Sequence, residues 1–364
     1  MTRYFAPAFR ILVNGSRVKA DVSAEIMQLQ VTSKPDTLDT FSFTIANTLP
    51  KMRWTHTSDA DLFREGSSVK IAMGYVDDLQ HMIEGEITQI SPSFPQGDVP
   101  TVAIEGQTLL HRLNGTNNTR TFQGVTDKDI VEKIAQEANL QADAEDPQIQ
   151  YEYVMQPNQT DLDFLRERAR RLHFEILVQD NKLIFRRSQE QRTKSYTLVW
   201  AHAQKAVAMG SNSLPLSTFS LQMNASKPAT SVETRSYDPA SKQAFVSRAG
   251  PSDQTSQMGG TKKAGDLTND AYKRERKYVE VVTPFGSQSE CDEHAKARYN
   301  NQAMGLVSGT AETIGVPDLR GGQIISMLGV GLRFEGDYRI DEATHNIGSG
   351  GYTTSLTVKR NSVS

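Results

Sequence analysis

Three pairs of acids have the spacing of general acid–base partners: Glu84 and Glu86, Asp161 and Asp163, Glu335 and Asp337. Two carboxylates flanking one bond are what hydrolysis of a glycoside requires. Each pair also falls at a hairpin tip or a helix start, where acids solvate a turn or complement the helix dipole. That structural reading needs no substrate and is the one adopted. The seven histidines, His56, His81, His111, His173, His202, His294 and His345, are scattered. None belongs to a His-Glu-x-x-His pair, and the single Cys291 cannot build a thiolate site, so no metal and no cofactor are expected. His345 reads as a packed, hydrogen-bonded strand residue. There is no Gly-x-Ser-x-Gly elbow and no phosphate-binding Gly-Lys loop. Gly329-Val330-Gly331 is a turn within β structure, because no helix start follows. The catalytic, cofactor and metal assignments are therefore none.

One basic concentration stands out: Arg166, Arg168, Arg170 and Arg171, with Arg186 and Arg187. It has the charge for phosphate contacts, but not the aromatic interleaving of a base-stacking platform. Lys273-Arg-Glu-Arg-Lys277 reads equally well as an ion-pair site between subunits. The 364 residues carry 40 Lys+Arg against 43 Asp+Glu, net −3. That balance gives no electrostatic case for a nucleic-acid or membrane-surface protein. No window approaches the roughly 18 apolar residues of a membrane-crossing helix. The N-terminal residues lack a signal-peptide core, and one cysteine excludes an intrachain disulfide, so synthesis in a reducing cytoplasm is expected.

The elements that would carry these residues follow from hydrophobic period. Residues 1–115 alternate as strands: Phe9/Ile11/Val13, Met27/Leu29/Val31, Phe41/Phe43/Ile45, Val69/Ile71/Met73, Ile83/Ile87 and Val102/Ile104. Asn14-Gly15 supplies a hairpin turn. Asn47–Glu65 reads as a long polar contact loop. Residues 116–190 switch to helix spacing twice, at Thr126–Ala138 and Thr160–Leu172, each followed by a strand. Thr126 with Asp129 forms a capping box. Residues 191–225 return to strands. Pro251–Asp270, poor in large apolar side chains, is expected to be mobile or exposed. Ser287-x-x-Glu290 opens a helix with Cys291, Ala295 and Tyr299 inward.

The last sixty residues run Gly315-Val-Pro-Asp-Leu319, Gly321-Gly-Gln323 with an apolar strand, Phe334-Glu-Gly-Asp-Tyr338, His345, Gly351-Tyr-Thr-Thr354 and Lys359-Arg360. In that order they resemble the C-terminal barrel of late-control-type tail hub proteins of contractile-tailed phages and related contractile injection systems. The resemblance implies a mainly β fold with an α/β insert, in which two tail-tube-like β-barrels flank a small α/β module. The implied division is 1–115, 116–190 and 191–364, with a mobile excursion around 225–285. It further implies a non-enzymatic baseplate hub, a homotrimer joining a hexameric tail tube to a trimeric central spike among other baseplate proteins. Such a protein would be assembled in the bacterial cytoplasm and carried in a virion or a released tail-like particle. Nucleic acid would meet it only in passage through the lumen, and no membrane is involved. Larger relatives continue into a spike; here Ser364 lies four residues after Arg360, so the spike would be another polypeptide. The readings from other classes are a tail-associated peptidoglycan hydrolase and a cell-wall-binding module.

One internal echo bears on this. Phe63-Arg-x-Gly66-x-x-Val69-x-Ile71 repeats as Leu319-Arg-x-Gly322-x-x-Ile325-x-Met327, and Glu84-Gly85-Glu86 as Glu335-Gly336-Asp337. Any two meanders share glycine and alternation; the sharper reading is duplication of one barrel.

Overall fold

Alternation decides the first strands. In Thr40–Ala46 the side chains of Phe41, Phe43 and Ile45 are buried and those between them are less so, the pattern of a sheet with one face on a core. In a computed structural model, the chain is described for all residues except 1–5, 36, 47–61, 173, 180, 188–195, 201–211, 239–241, 282–284 and 286. Most of Asn47–Glu65, including His56, therefore lies outside the described residues, as do His173 and His202.

The first region holds β1 (Pro7–Val13), β2 (Ser16–Arg17), helix α1 (Ala20–Ala24), β3 (Ile26–Ser33), β4 (Thr40–Ala46), β5 (Ser68–Tyr75), β6 (Asp78–Ser93) and β7 (Thr101–Thr108). The middle region holds β8 (Asn117–Thr126), α2 (Asp127–Glu137), β9 (Gln141–Ala144), β10 (Gln150–Thr160), α3 (Asp161–Leu172), β11 (Phe174–Gln179) and β12 (Lys182–Arg187). The third begins with β13 (Thr197–Val199) and β14 (Ser213–Met223). An excursion follows, with β15 (Ser231–Asp238), β16 (Gln243–Ala249), β17 (Lys262–Lys263), α4 (Ala264–Tyr272) and β18 (Lys277–Val281). Helix α5 (Gln288–Ala303) leads into β19 (Val307–Ile314), β20 (Ile324–Leu328), β21 (Gly336–Gly348), β22 (Gly351–Arg360) and β23 (Ser362–Val363). Three clusters of buried side chains correspond to these regions, each with its own core.

The fold is mainly β, as expected. β13, β20, β21, β22, β19 and β14 form a ring that closes where β14 pairs with β13. In the first region β1, β5, β6, β7, β4 and β3 follow the same spatial order. The two differ at one joint. β13 runs parallel to both its neighbours, whereas β1 is antiparallel to β5, and among the described residues no ladder links β1 to β3. Among the described residues only the second ring closes.

The correspondence reaches the irregularities. The bulge between Ile87 and Gln89 in the β6–β7 ladder matches that between Ile340 and Glu342 in β21–β22. The bulge between Ile26 and Gln28 in β3–β4 matches that between Leu216 and Thr218 in β14–β19. Bulges re-aim a strand, so two in matching places indicate one fold built twice. Gly66 N donates to Ile87 O and Ile87 N to Ser67 O; Gly322 N donates to Ile340 O and Ile340 N to Gln323 O. Both glycines have positive φ, +80° and +85°, which the turn requires of them. The Glu-Gly-acidic part of the echo needs correction. Val69 faces Gly85 and Ile325 faces Tyr338, so Gly85 corresponds to Tyr338, two residues beyond Gly336. Gly85 is needed because a Cβ there would meet Gln107 O at 2.1 Å, whereas Gly336 takes φ +116° at the entry to β21.

The middle region carries the two helix–strand units, each also preceded by a strand, β8 or β10, that pair with each other. Thr126 accepts from Asp129 N, and Asp129 accepts from Thr126 N at 2.7 Å, completing the capping box. Ser287 likewise accepts from Glu290 N.

Pro251–Asp270 departs from expectation. Met258, Ala264, Leu267 and Thr268 are buried, and β17 pairs with β23. Asn361 donates to Ser256 O at 2.9 Å and accepts from Met258 N at 3.1 Å, and Ser362 Oγ donates to Met258 O at 2.6 Å. Counting apolar side chains missed this, because polar side chains of the C-terminal tail supply the backbone partners.

Candidate functional site

Each of the paired acids is occupied locally. Glu84 pairs with Lys70 at 2.8 Å. Glu86 binds Arg112, and His111 at 2.8 Å; burial pushes its carboxyl up, but these two partners outweigh burial and hold it below its ordinary value. Asp161 Oδ1 accepts from Asn118, Arg120 and Gln156 at 2.7–3.0 Å. Asp163 N is held by Thr160 Oγ1. Glu335 accepts from Gly329 N and Asp337 from Ser326 Oγ. These acids order turns and helix starts.

Five of the six arginines of the basic concentration are spent in the same way, and Arg170 is exposed. Arg168 is buried, 2.5 Å from Asp127 and over the ring of Tyr151. Arg166, Arg171, Arg186 and Arg187 pair with Asp163, Glu167, Glu175 and Glu145. In the 273–277 run, Glu275 pairs with Arg248 and Lys277 with Glu233. Among the described residues no cluster of three or more His, Cys, Asp or Glu could hold a metal, and no helix is long and apolar enough to cross a membrane.

The two copies meet at a seam that no sequence motif marked. β3 and β21 pair antiparallel from Leu29 opposite Ile347 to Ser33 opposite Ala343, fusing both copies into one 13-stranded sheet. Thr32 and Thr344 hydroxyls lie 3.2 Å apart, and Lys34 pairs with Glu342 at 3.4 Å. Tyr75 OH donates to Gly315 O at 2.9 Å, and its ring meets Tyr352. The Arg320 guanidinium crosses from the second copy to donate to the carbonyls of Met82, at 3.1 Å, and His81, at 2.8 Å. The echo did contain Arg320, as the Arg after an apolar residue, but nothing in it said where the side chain would reach.

His345 sits at the centre, fully buried. Its Nε2–H donates to Leu319 O at 2.8 Å, which leaves Nδ1 to accept from the hydroxyls of Tyr352 and Thr354. Burial, with Arg320 nearby, pushes its pKa down to about 4. Beside the seam a cavity of about 360 Å³ is lined by Lys34, Asp39, His81, Arg320 and Arg339. Burial pushes the Asp39 carboxyl up to about 6, against the lowering effect of the Lys34 N–H and Arg320. At the far end of the second barrel Arg360, fully buried, donates to the carbonyls of Arg333, Phe334 and Glu335 and lies over Tyr338. These groups hold backbone segments in place.

Comparison with known proteins gives the following. A family model described as the Alg8 N-terminal domain matches residues 6–349. No curated protein matches. The fold is similar to the 43-kDa tail protein of prophage MuSo2 from Shewanella oneidensis, with a TM-score of 0.72 and 10% identity over 99% of this chain and 100% of that one. It is similar to a tail protein from Neisseria meningitidis MC58, with a TM-score of 0.68 and 14% identity over 98% and 97%. It is also similar to an Escherichia coli component of the type VI secretion system that is described as resembling T4 bacteriophage tail proteins gp27 and gp5. There the TM-score is 0.57 and identity 12% over 97% of this chain and 77% of that one. At such identities the likeness is one of fold.

Proposed function

The chain belongs to the family of the Alg8 N-terminal domain, and we propose that it is a structural hub of a contractile tail or injection particle. The observation that carries this reading is the duplication: two copies of one strand order, with matching bulges, in one chain. Its fold is that of tail proteins. A hub of this kind joins a six-fold tube to a three-fold spike. Three chains of two similar barrels each offer six barrels to the tube while keeping three-fold symmetry for the spike. In this reading residues 116–190 form a module outside the ring, the chain is a homotrimer, and its partners are tube, spike and other baseplate proteins. It is assembled in the bacterial cytoplasm and carried in the particle. It acts by binding rather than chemistry, and the local structural partners of the paired acids support that. Residues 1–115, 116–190 and 191–364 are its proposed domains.

Light scattering on the purified chain, alone and mixed with its tube and spike proteins, tests the reading. A three-chain mass, alone or with spike, is expected. A monomer under every condition would refute it, and lysis of purified cell wall, abolished by changing Glu86 or Asp161, would replace it with the hydrolase.

A further inference from the structure

The excursion between β14 and α5 carries a sheet that is covered on one face. β15 pairs antiparallel with β16 and parallel with β18. Alternation then divides the side chains. Val232, Thr234 and Ser236 are buried, on the face toward α5, where Cys291 Sγ donates to Thr234 O at 3.7 Å. The other face holds Tyr237, Val246, Val279 and Val281, because Arg235 stands opposite Val246 and Val281, and Glu233 opposite Val279. A sheet face in water is expected to be polar. Here those four side chains are 53%, 51%, 46% and 79% exposed.

The two edges of this sheet differ. β16 lies beside the start of α5, where Gln288 Nε2 donates to Val246 O at 3.1 Å. Among the described residues β18 pairs only with β15, so its outer edge has no ladder. Exposed edges are normally blunted by Pro, a bulge or free charge. β18 has no Pro and no bulge in its ladder. Its two charges are already paired, Lys277 with Glu233, and Glu280 with Arg298 at 3.2 Å.

Lys273-Arg-Glu-Arg-Lys277 leads directly into this edge, and all five residues are exposed. Glu275 pairs with Arg248, and Arg276 donates to Ser226 O. Lys273 acts on Asp270 through its field, and Arg274 has no ion-pair partner among the described residues. Excess positive charge therefore sits at one end of an open, apolar edge.

We propose that β18 accepts an extended segment of another protein as a further strand of this sheet. The segment runs antiparallel to β18, with apolar side chains beside Val279 and Val281 and carboxylates opposite Lys273–Lys277. Backbone pairing supplies the affinity of such a contact, and alternate side chains its selectivity. Antiparallel pairing is the more stable per residue, and it puts the acids at the segment's C-terminal end. The occupant is acidic because complementary charge selects partners, and the run it meets keeps positive charge. A second copy does not fit. β18 paired with itself about a two-fold axis would set Lys273–Lys277 against residues 281–285, Val-Val-Thr-Pro-Phe, which bring no acid. This inference goes beyond the hub reading and does not depend on it: a chain that stays monomeric with tube and spike would leave it untouched.

The test titrates the full chain into a fluorescein-labelled peptide, Thr-Val-Thr-Val-Thr-Glu-Asp-Glu-Asp, and follows anisotropy. Saturable binding below about 1 mM is expected. Lys273→Glu with Arg274→Glu changes two exposed side chains and should leave circular dichroism and melting unchanged. It should weaken this peptide at least about tenfold, and strengthen by a similar factor a peptide with Lys in place of the acids. N-methylating alternate peptide residues should abolish binding in one frame and leave it within about twofold in the other, because only one set of N–H groups faces the edge. Absence of saturation, equal effects of the two N-methyl frames, or a charge reversal without effect would each overturn the proposal. Single-stranded DNA of about twenty nucleotides that displaces the peptide and binds as tightly would also overturn it, by showing a bare basic patch.

Discussion

The two barrels follow one strand order and share bulge positions and a glycine turn, yet among the described residues only the second closes. Closure in the second depends on β13, which enters from the α/β module and inserts parallel between β20 and β14. In the first, β1 is the inner arm of a hairpin with β2 and pairs antiparallel with β5. The contrast teaches that the ladder and bulge pattern of five strands tolerates a sixth strand of either direction. What the second barrel adds at its end is Arg360, whose counterpart in the first copy is Thr108, by the register of β22 on β7.

That difference should dominate stability. Arg360→Ala removes donors from three carbonyls and empties a buried volume, so it should cost roughly 3–4 kcal/mol in denaturant unfolding. Thr108→Ala should cost about 1 kcal/mol. Equal costs would mean that the two barrel ends are held alike.

The pH response sets one copy against the other. His345 takes its proton in the fold only near pH 4, but near 6.5 when unfolded. Its contribution to stability is therefore lost as pH falls from 6.5 to 4, by about 3 kcal/mol. Asp39 titrates near 6 in the fold and near 3.8 when unfolded, so its contribution rises as pH falls across almost the same window, by a similar amount. The wild-type profile should be nearly flat between pH 6 and 4. Asp39→Asn should expose the acid loss of about 3 kcal/mol, and His345→Gln should reverse its sign. Urea melts at pH 4, 5 and 6.5 decide this, and a steep wild-type profile would break the pairing.

Smaller effects sharpen the likeness. Gly66→Ala and Gly322→Ala force a Cβ into positive φ and should cost about 1–2 kcal/mol each. The two costs should be close, since an added Cβ would meet nothing within 4 Å at Gly66 and only an ordinary contact with Pro35, at 3.6 Å, at Gly322. Widely unequal melts would argue against one turn used twice. Smallest, Tyr75→Phe removes one hydrogen bond across the internal seam and should cost about 1 kcal/mol, without changing the fold by circular dichroism.

The sequence by itself determined what depends on neighbours along the chain. Thr126 with Asp129 and Ser287 with Glu290 cap their helices because the donor lies three residues from the acceptor. Phe41, Phe43 and Ile45 share a face because a strand alternates. The duplication was legible in Gly66 and Gly322 for the same reason: one turn demands one residue type. Its Glu-Gly-acidic part was misaligned by two residues, since a slip of two in a period-two strand keeps every side chain on its face. Tertiary structure alone decided the closure of the second ring, the fusion of β3 to β21, the reach of Arg320 and the ordering of Pro251–Asp270 by Asn361. Thr32 and Thr344 are 312 positions apart in the chain. No local propensity encodes that pairing; it exists because both edges must satisfy their backbone groups and bury Leu29 and Val31 together.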